Sequence, residues 1–246
     1  MTLPVRKLES LPVKGMEMIQ LIKKAFFKVV HLNPIVDRLV RYQNPKKYWQ
    51  ERGGDPYFVE QEAVYDRTLR SQFITGEINK LPYKSLLEIG CGYGKQLRNF
   101  RCEEAKIVGC DYSRQQLLKA KDYCDGIQIF LLEADAESLP FSDKSFDVVF
   151  SSAVILHNHF EKAKKIISEM IRIGRRFIVH NEDTDITFSR FGYDMKKTHE
   201  KMNHKIIKSG LIPSAPDPSI TQFTIVELPS AVYLVKPEDV TLQYHR

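Results

Sequence analysis

The chain has 246 residues, 43% of them hydrophobic and 28% charged, the range of an ordinary globular protein with room for one α/β domain and an appendage. Its apolar runs, such as 148–150 and 153–156, fall far short of the ~20 residues that a membrane-spanning helix requires. The net charge of +6 is localised: residues 1–52 hold 11 Lys/Arg against 4 Asp/Glu, and the remainder holds 26 against 27. This argues against a nucleic-acid partner and leaves a basic N-terminal segment suited to a membrane surface or an acidic substrate.

Arg6 and Lys7 are followed by Glu9, Lys14 and Glu17, which interrupt any apolar stretch of signal-peptide length, so a cytoplasmic location is expected. The cysteines Cys91, Cys102, Cys110 and Cys124 form no CxxC pair and no metal-ligand spacing with histidine. Reduced thiols and no metal site are expected.

In chain order, Met18, Ile22, Phe26, Val29 and Val30 recur at helical spacing, with Gln20, Lys23, Lys24 and Lys28 on another side, which predicts an amphipathic helix over 15–31. Docking on the protein body is its simpler role; the alternative is peripheral membrane contact, with the lysines meeting anionic lipid. Pro34 and Asn44-Pro45 punctuate the next stretch, and Gly53-Gly54-Asp55-Pro56 marks a loop before a helical segment over 58–80.

After Pro82 short apolar strands are predicted at 85–89, 106–110, 127–133, 146–151 and 176–180, separated by helical or linking segments at 98–104, 114–123 and 161–173. This alternation predicts a parallel α/β sheet with crossover helices. Two β-prone runs, 222–228 and 231–235, joined by Pro229-Ser230, predict a terminal hairpin. The expected division is an N-terminal helical extension or lid over 1–80 and an α/β domain over 81–246.

The chemistry concentrates where a hydrophobic strand meets a glycine-rich turn, Leu86-Leu87-Glu88-Ile89-Gly90-Cys91-Gly92-Tyr93-Gly94. Glycines let the backbone bend tightly and approach a ligand, and the helix expected after them offers free N–H groups, so a nucleotide-like ligand is implied. A dinucleotide GxGxxG turn would need glycine at 95, where this chain has Lys95. Asp111 ends the second strand 21 residues after Gly90, where a carboxylate can accept hydrogen bonds from both hydroxyls of a ribose.

Leu132-Glu133-Ala134-Asp135-Ala136-Glu137-Ser138-Leu139-Pro140-Phe141 comes next, and then Ser145-Phe146-Asp147-Val148-Val149-Phe150-Ser151-Ser152. With these motifs in order, residues 84–183 resemble the class I S-adenosylmethionine-dependent methyltransferases, in particular those acting on small molecules and lipids. The resemblance implies a Rossmann-like, doubly wound seven-stranded sheet with its last strand antiparallel. It also implies cofactor-binding roles: Glu88 and Gly90, with Cys91 and Gly92 of the same turn, at the methionine end; Asp111, with Tyr112 beside it, at the ribose; Asp135 and Ala136 at the adenine edge; and Ser152 in the pocket wall. The family usually carries a proline and paired glycines before its fifth strand, whereas this chain reads Ile173-Gly174-Arg175-Arg176.

For such an enzyme the expected acceptor is a small molecule, glycan or lipid-linked compound. An Asn-Pro-Pro-Tyr type motif for methylating the amino groups of bases is missing after Ser152, where the chain reads Ala153-Val154-Ile155-Leu156-His157, so oxygen or carbon acceptors fit better. His157 is the preferred general base, with His159 near it, because both come after the fourth strand where such a sheet opens its crevice. His180, Asn181, Glu182 and Asp183 are expected on the same rim, and Tyr57, Phe58, Tyr65 and Phe73 as lid or core packing. Two other readings compete: a catalytically silent module of the same fold, either cofactor-binding or membrane-associated, and a nicotinamide-dependent oxidoreductase.

Overall fold

The computed structural model describes residues 44–101, 103–186, 190–213, 215–230 and 235–243, all within the compact unit 44–246. The helix expected over 15–31 lies outside the described residues. Three helices come first: α1 (Pro45–Arg52), α2 (Asp55–Glu62) and α3 (Tyr65–Ile78). Asn44 caps α1 by accepting a hydrogen bond from the Lys47 amide (3.0 Å) with Pro45 in the first turn, the residue pairing that starts a helix most cheaply. The helix expected over 58–80 is therefore two helices, with Asp55 and Pro56 opening the first of them.

The sheet is built from β1 (Ser85–Ile89), β2 (Lys106–Asp111), β3 (Ile129–Glu133), β4 (Phe146–Ser152), β5 (Gly174–Asp183), β6 (Lys205–Leu211) and β7 (Thr221–Glu227), in the spatial order β3-β2-β1-β4-β5-β7-β6. The first five pair in parallel, and β7 lies antiparallel between β5 and β6. The expected seven-stranded sheet with its last strand antiparallel is thus present. The hairpin partner of β7 is β6, not 231–235, because both edges of β7 are already occupied; residues 231–234 lie outside the described residues.

Helices α4 (Arg114–Tyr123), α5 (Phe160–Ile173) and α6 (Met195–Lys201) complete the layers. Leu87 and Leu86, adjacent in β1, point to opposite faces and enter separate core clusters, as the two-residue period of a strand requires. The stripe Ala163, Ile166, Ile167, Met170, Ile171 and Ile173 buries α5 against the first of these. The segment 98–104, expected to be helical or linking, holds only the end of a 3-10 turn, Leu97–Asn99, so the helix expected after the glycine turn is not formed. Strand β5 begins directly at Gly174, where a Cβ would stand 2.8 Å from Ile178 Cδ1 and 2.9 Å from Met170 O; a glycine makes this helix-to-strand joint close.

Among the described residues no helix is long and apolar enough to cross a membrane. The strand order reverses between β1 and β4, and in such sheets a ligand crevice opens at the carboxyl ends of the strands flanking that reversal.

Candidate active site

That crevice is present, an open cleft of about 940 Å³ counted out to its mouth. Its floor is the turn after β1. Gly90, Gly92 and Gly94 have φ of 62°, 55° and 84°, a region that side chains with a Cβ enter only at a cost of about 1–2 kcal/mol. The three differ in what they face. A Cβ on Gly90 would lie 2.5 Å from Val154 Cγ2 and one on Gly94 2.8 Å from Cys124 Sγ, whereas one on Gly92 meets nothing nearer than Gln116 Nε2 at 3.9 Å. Among the described residues Gly92 therefore leaves open the space a Cβ would fill, beside the crevice it lines.

Asp111 ends β2 next to this turn. Its Oδ2 accepts from the Gly92 amide (3.0 Å) and its Oδ1 from the Ser113 amide (2.8 Å). Burial pushes its carboxyl up to about 6, against the pull of those amides. Glu88, 2% exposed, has an Oε2 without a hydrogen-bond partner; burial, and then the Asp111 charge, hold it well above the usual carboxylate range. A buried and a half-buried carboxylate facing one crevice, the first with an unused acceptor, form a site for a ligand that brings donors or positive charge.

Cys91 lines the crevice through the turn, while its buried thiol packs on Gly109 and is pushed well up by burial. Tyr112 also lines it, its hydroxyl donating to Pro45 O at 3.3 Å. Ser152 ends β4 in the wall and accepts from Gln96 Nε2 (3.1 Å) and Asn181 Nδ2 (2.7 Å). Asp135 and Ala136 are not among the lining residues: Ala136 is buried in the core, and Asp135 stands 3.9 Å from Lys46 of α1. Lys95 does line the crevice but is ion-paired with Glu62 of α2 at 2.8 Å.

His157 lies in the opposite wall, on the 3-10 turn Ile155–His157, with its ring centroid 5.1 Å from that of Trp49. Ala153, just before this turn, has φ 55°, a strained conformation of the kind that clusters at functional sites. His159 is outside the lining, its ring 5.6 Å from Phe191. Tyr57 lines the crevice and packs edge-on to Trp49, Phe58 packs on Tyr93, and Phe73 is core packing against Phe223.

The expectation that His180, Asn181, Glu182 and Asp183 form an open rim is corrected: they are 0–1% exposed and none lines the crevice. Strand β5 is covered on both edges by β4 and β7, so its polar end bonds internally. Glu182 accepts from Ser151 Oγ (3.1 Å) and from the amides of Val154 (3.2 Å) and Leu156 (3.1 Å). Asp183 accepts from Arg190 and Thr221. Sequence reasoning missed Trp49, Arg67 and Arg70, which line the crevice from α1 and α3; no motif marks them, since they reach the site only through folding of the preceding helices.

Residues 86–176, from β1 to the start of β5, match the family model described as methyltransferase domain. O-methyltransferase cnsE of Penicillium expansum is 28% identical over 139 residues, 54% of this chain and 48% of that protein. Sarcosine/dimethylglycine N-methyltransferase of Aphanothece halophytica is 27% identical over 140 residues, 51% of this chain and 49% of that protein. The chain thus spans about half the length of these curated relatives. Among solved structures, magnesium protoporphyrin IX methyltransferase of Synechocystis with bound S-adenosylhomocysteine has the same fold, with a TM-score of 0.58 at 15% identity over 78% of this chain and 98% of that one. Residues 86–176 thus carry a methyltransferase-domain match, on a fold shared with solved S-adenosylmethionine-dependent methyltransferases and with a crevice at the reversal of its strand order.

Proposed function

We propose that the chain transfers the methyl group of S-adenosylmethionine to a small-molecule, glycan or lipid-linked acceptor, and that the accepting atom is an oxygen. The observation that carries this is the juxtaposition of Glu88, with its unpartnered buried Oε2, and Asp111 around the open cradle at Gly92. The relatives act on different atoms by name, so the choice of oxygen rests on the chain's own residues after Ser152.

In this reading Glu88 and the Gly90 to Gly92 backbone take the ammonium side of the methionine end. Arg70, whose pKa burial lowers while Asp183 opposes the shift, faces that end's carboxylate. Asp111 accepts from the ribose hydroxyls, with Tyr112 alongside, Asp135 and Ala136, just outside the crevice lining, mark the side on which the adenine extends, and Ser152 closes the wall. The bound cofactor supplies an electrophilic methyl group on a sulfonium. What remains for the protein is to align a nucleophile, exclude water and remove a proton. Trp49 and Tyr57 supply the water-excluding cover, and His157 accepts the proton as the acceptor oxygen attacks.

The test is a thermal-shift titration, and then transfer of labelled methyl groups into a cell extract. S-adenosylhomocysteine at a hundred times its Kd stabilises the fold by about 2.7 kcal/mol, and NAD leaves it unchanged. Stabilisation by NAD alone, or cofactor binding without methylation of any compound, would overturn the proposal.

A further inference from the structure

Behind the wall that carries His157, a file of titratable groups runs away from the crevice with no part in the methyl transfer described above. Ser151 Oγ lies 3.1 Å from Glu182 Oε1 and 3.0 Å from His180 Nδ1. His180 Nε2 is 2.9 Å from His199 Nε2, and His199 Nδ1 is 2.8 Å from His204 Nδ1. His180 and His199 are fully buried, and His204 is 7% exposed with its Nε2 also buried, so the file leads from behind the crevice wall, through His199 of α6, to a third buried ring.

Two complete hydrogen-bonding patterns fit these contacts, and they differ by one proton. With Glu182 ionised, Ser151 donates to Glu182, His180 Nδ1–H donates to Ser151, His199 Nε2–H to His180, and His204 Nδ1–H to His199. With Glu182 neutral, every donor reverses: Glu182 donates to Ser151, Ser151 to His180 Nδ1, His180 Nε2–H to His199, and His199 Nδ1–H to His204, whose proton now sits on Nε2. A proton that reaches the buried His204 Nε2 when the fold opens locally, and is passed bond by bond, converts the first pattern to the second, and each ring is neutral in both. Imidazole tautomerism provides such a shuttle because each ring has two distinct nitrogens.

We propose that Glu182, Ser151, His180, His199 and His204 form a single-file proton conduit, and that Glu182 at its inner end is a positioning residue whose proton sets how firmly the 153–158 segment, His157 included, is held against the crevice. The role of that segment in acceptor chemistry rests on the function proposed above; the conduit does not. The groups facing it are Arg70 of α3 and the amides of residues 154–156 at Glu182, and Lys144 at His204. Burial pushes His180 down to about 3, His199 well below its ordinary value and His204 to about 4, and raises Glu182 to about 7. Near neutral pH the carboxyl is therefore the member that keeps the proton. Ionised, it gives the Val154 and Leu156 amides a charge-assisted bond; neutral, it gives them a weaker one.

The test needs neither activity nor acceptor. Nitrogen NMR of the three imidazoles in the full chain should show them switching tautomer together between pH 8.5 and 5.5 while remaining neutral: His180 from Nδ1–H to Nε2–H, His199 from Nε2–H to Nδ1–H, and His204 from Nδ1–H to Nε2–H. Glu182→Gln, whose amide donates permanently to Ser151, should fix the low-pH pattern at every pH, and Ser151→Ala should remove the shared switch while keeping the fold. Exchange of the Leu156 amide, corrected for its intrinsic pH dependence, should rise about tenfold from pH 8 to pH 6 in the unaltered chain, as a charge-assisted bond gives way to a neutral one, and stay flat in Glu182→Gln. Rings that keep one tautomer throughout, or titrate independently, overturn the conduit. A shared switch with a flat Leu156 profile overturns the positioning role. Either result leaves S-adenosylhomocysteine binding at Asp111 untouched, so it is distinct from failure of the proposed function.

Discussion

On the β1–β2 side of the crevice the local backbone does the positioning, through left-handed glycines at 90, 92 and 94 and an Asp111 bonded to the amides of Gly92 and Ser113. On the β4–β5 side, His157 stands on one 3-10 turn whose amides are held by Glu182, 26 positions after Leu156. The first arrangement is written in a few consecutive residues and leaves little freedom of movement. The second depends on a buried carboxylate from another strand, and its grip varies with that carboxylate's charge. A rigid cradle for one ligand thus faces an adjustable wall for the other.

The largest effect that separates the two sides is expected at His157. His157→Ala should lower turnover by about 10²–10⁴-fold, the usual contribution of a positioned general base, while the Kd of S-adenosylhomocysteine changes by less than about threefold, since the ring contributes no anchoring bond to the cofactor in the proposed arrangement. Unchanged turnover removes His157 from the mechanism. The glycines come next and behave unequally. Gly90→Ala adds overpacking of about 1–3 kcal/mol against Val154 to its backbone strain, so it should lower the melting temperature substantially. Gly92→Ala bears about 1–2 kcal/mol of strain alone, yet it fills the cradle. It should keep most of the stability and lose cofactor binding, and a variant that still binds normally would contradict the placement of the ligand there.

This difference also explains what can be read from the residues alone. The strand 85–89, the glycine turn, Asp111 at a strand end and the helix 114–123 are all legible because each depends on local periodicity or turn chemistry. Helix α1 is not, since it is eight residues long and buries only Tyr48. Nor is β6: its Lys205-Ile206-Ile207-Lys208-Ser209-Gly210-Leu211 pairs, among the described residues, with β7 alone, and without it β7 is paired with the wrong neighbour. His180 to Asp183 have the sequence of a polar strand exit. Their burial depends on Ser151, Val154, His199 and Arg190, contacts that no local pattern encodes. The same holds for Trp49, Arg67 and Arg70 in the crevice wall.

A smaller effect is expected at Asp111. Because burial raises its carboxyl to about 6, acidification through that value protonates the acceptor of the ribose hydroxyls, and S-adenosylhomocysteine affinity should fall as pH drops from 7 to 5. Asp111→Asn removes a charged hydrogen-bond acceptor worth about 1.5–3 kcal/mol, roughly a ten- to hundredfold loss of affinity at pH 7.5, and should flatten the pH dependence. A pH profile identical in both proteins would assign the titration to another group, such as Glu88, whose carboxyl feels the Asp111 charge.

The smallest effect tests the edge of the rigid side. Asp135 lies just beyond β3, whose Glu133 pairs with Asp111 across the sheet, which puts it at the border proposed for the adenine. Its carboxylate is 33% exposed and faces Lys46 at 3.9 Å, and such an ion pair is worth no more than about 1 kcal/mol. Asp135→Ala should therefore weaken S-adenosylhomocysteine and 5′-methylthioadenosine equally and by less than about fivefold, as measured by calorimetry, because both carry the adenine and only the first carries the amino-acid end. A loss confined to S-adenosylhomocysteine would move Asp135 from the adenine to the methionine end. No change for either ligand would leave α1, through the Tyr112 to Pro45 and Lys46 to Asp135 contacts, as the boundary of the cradle on that side.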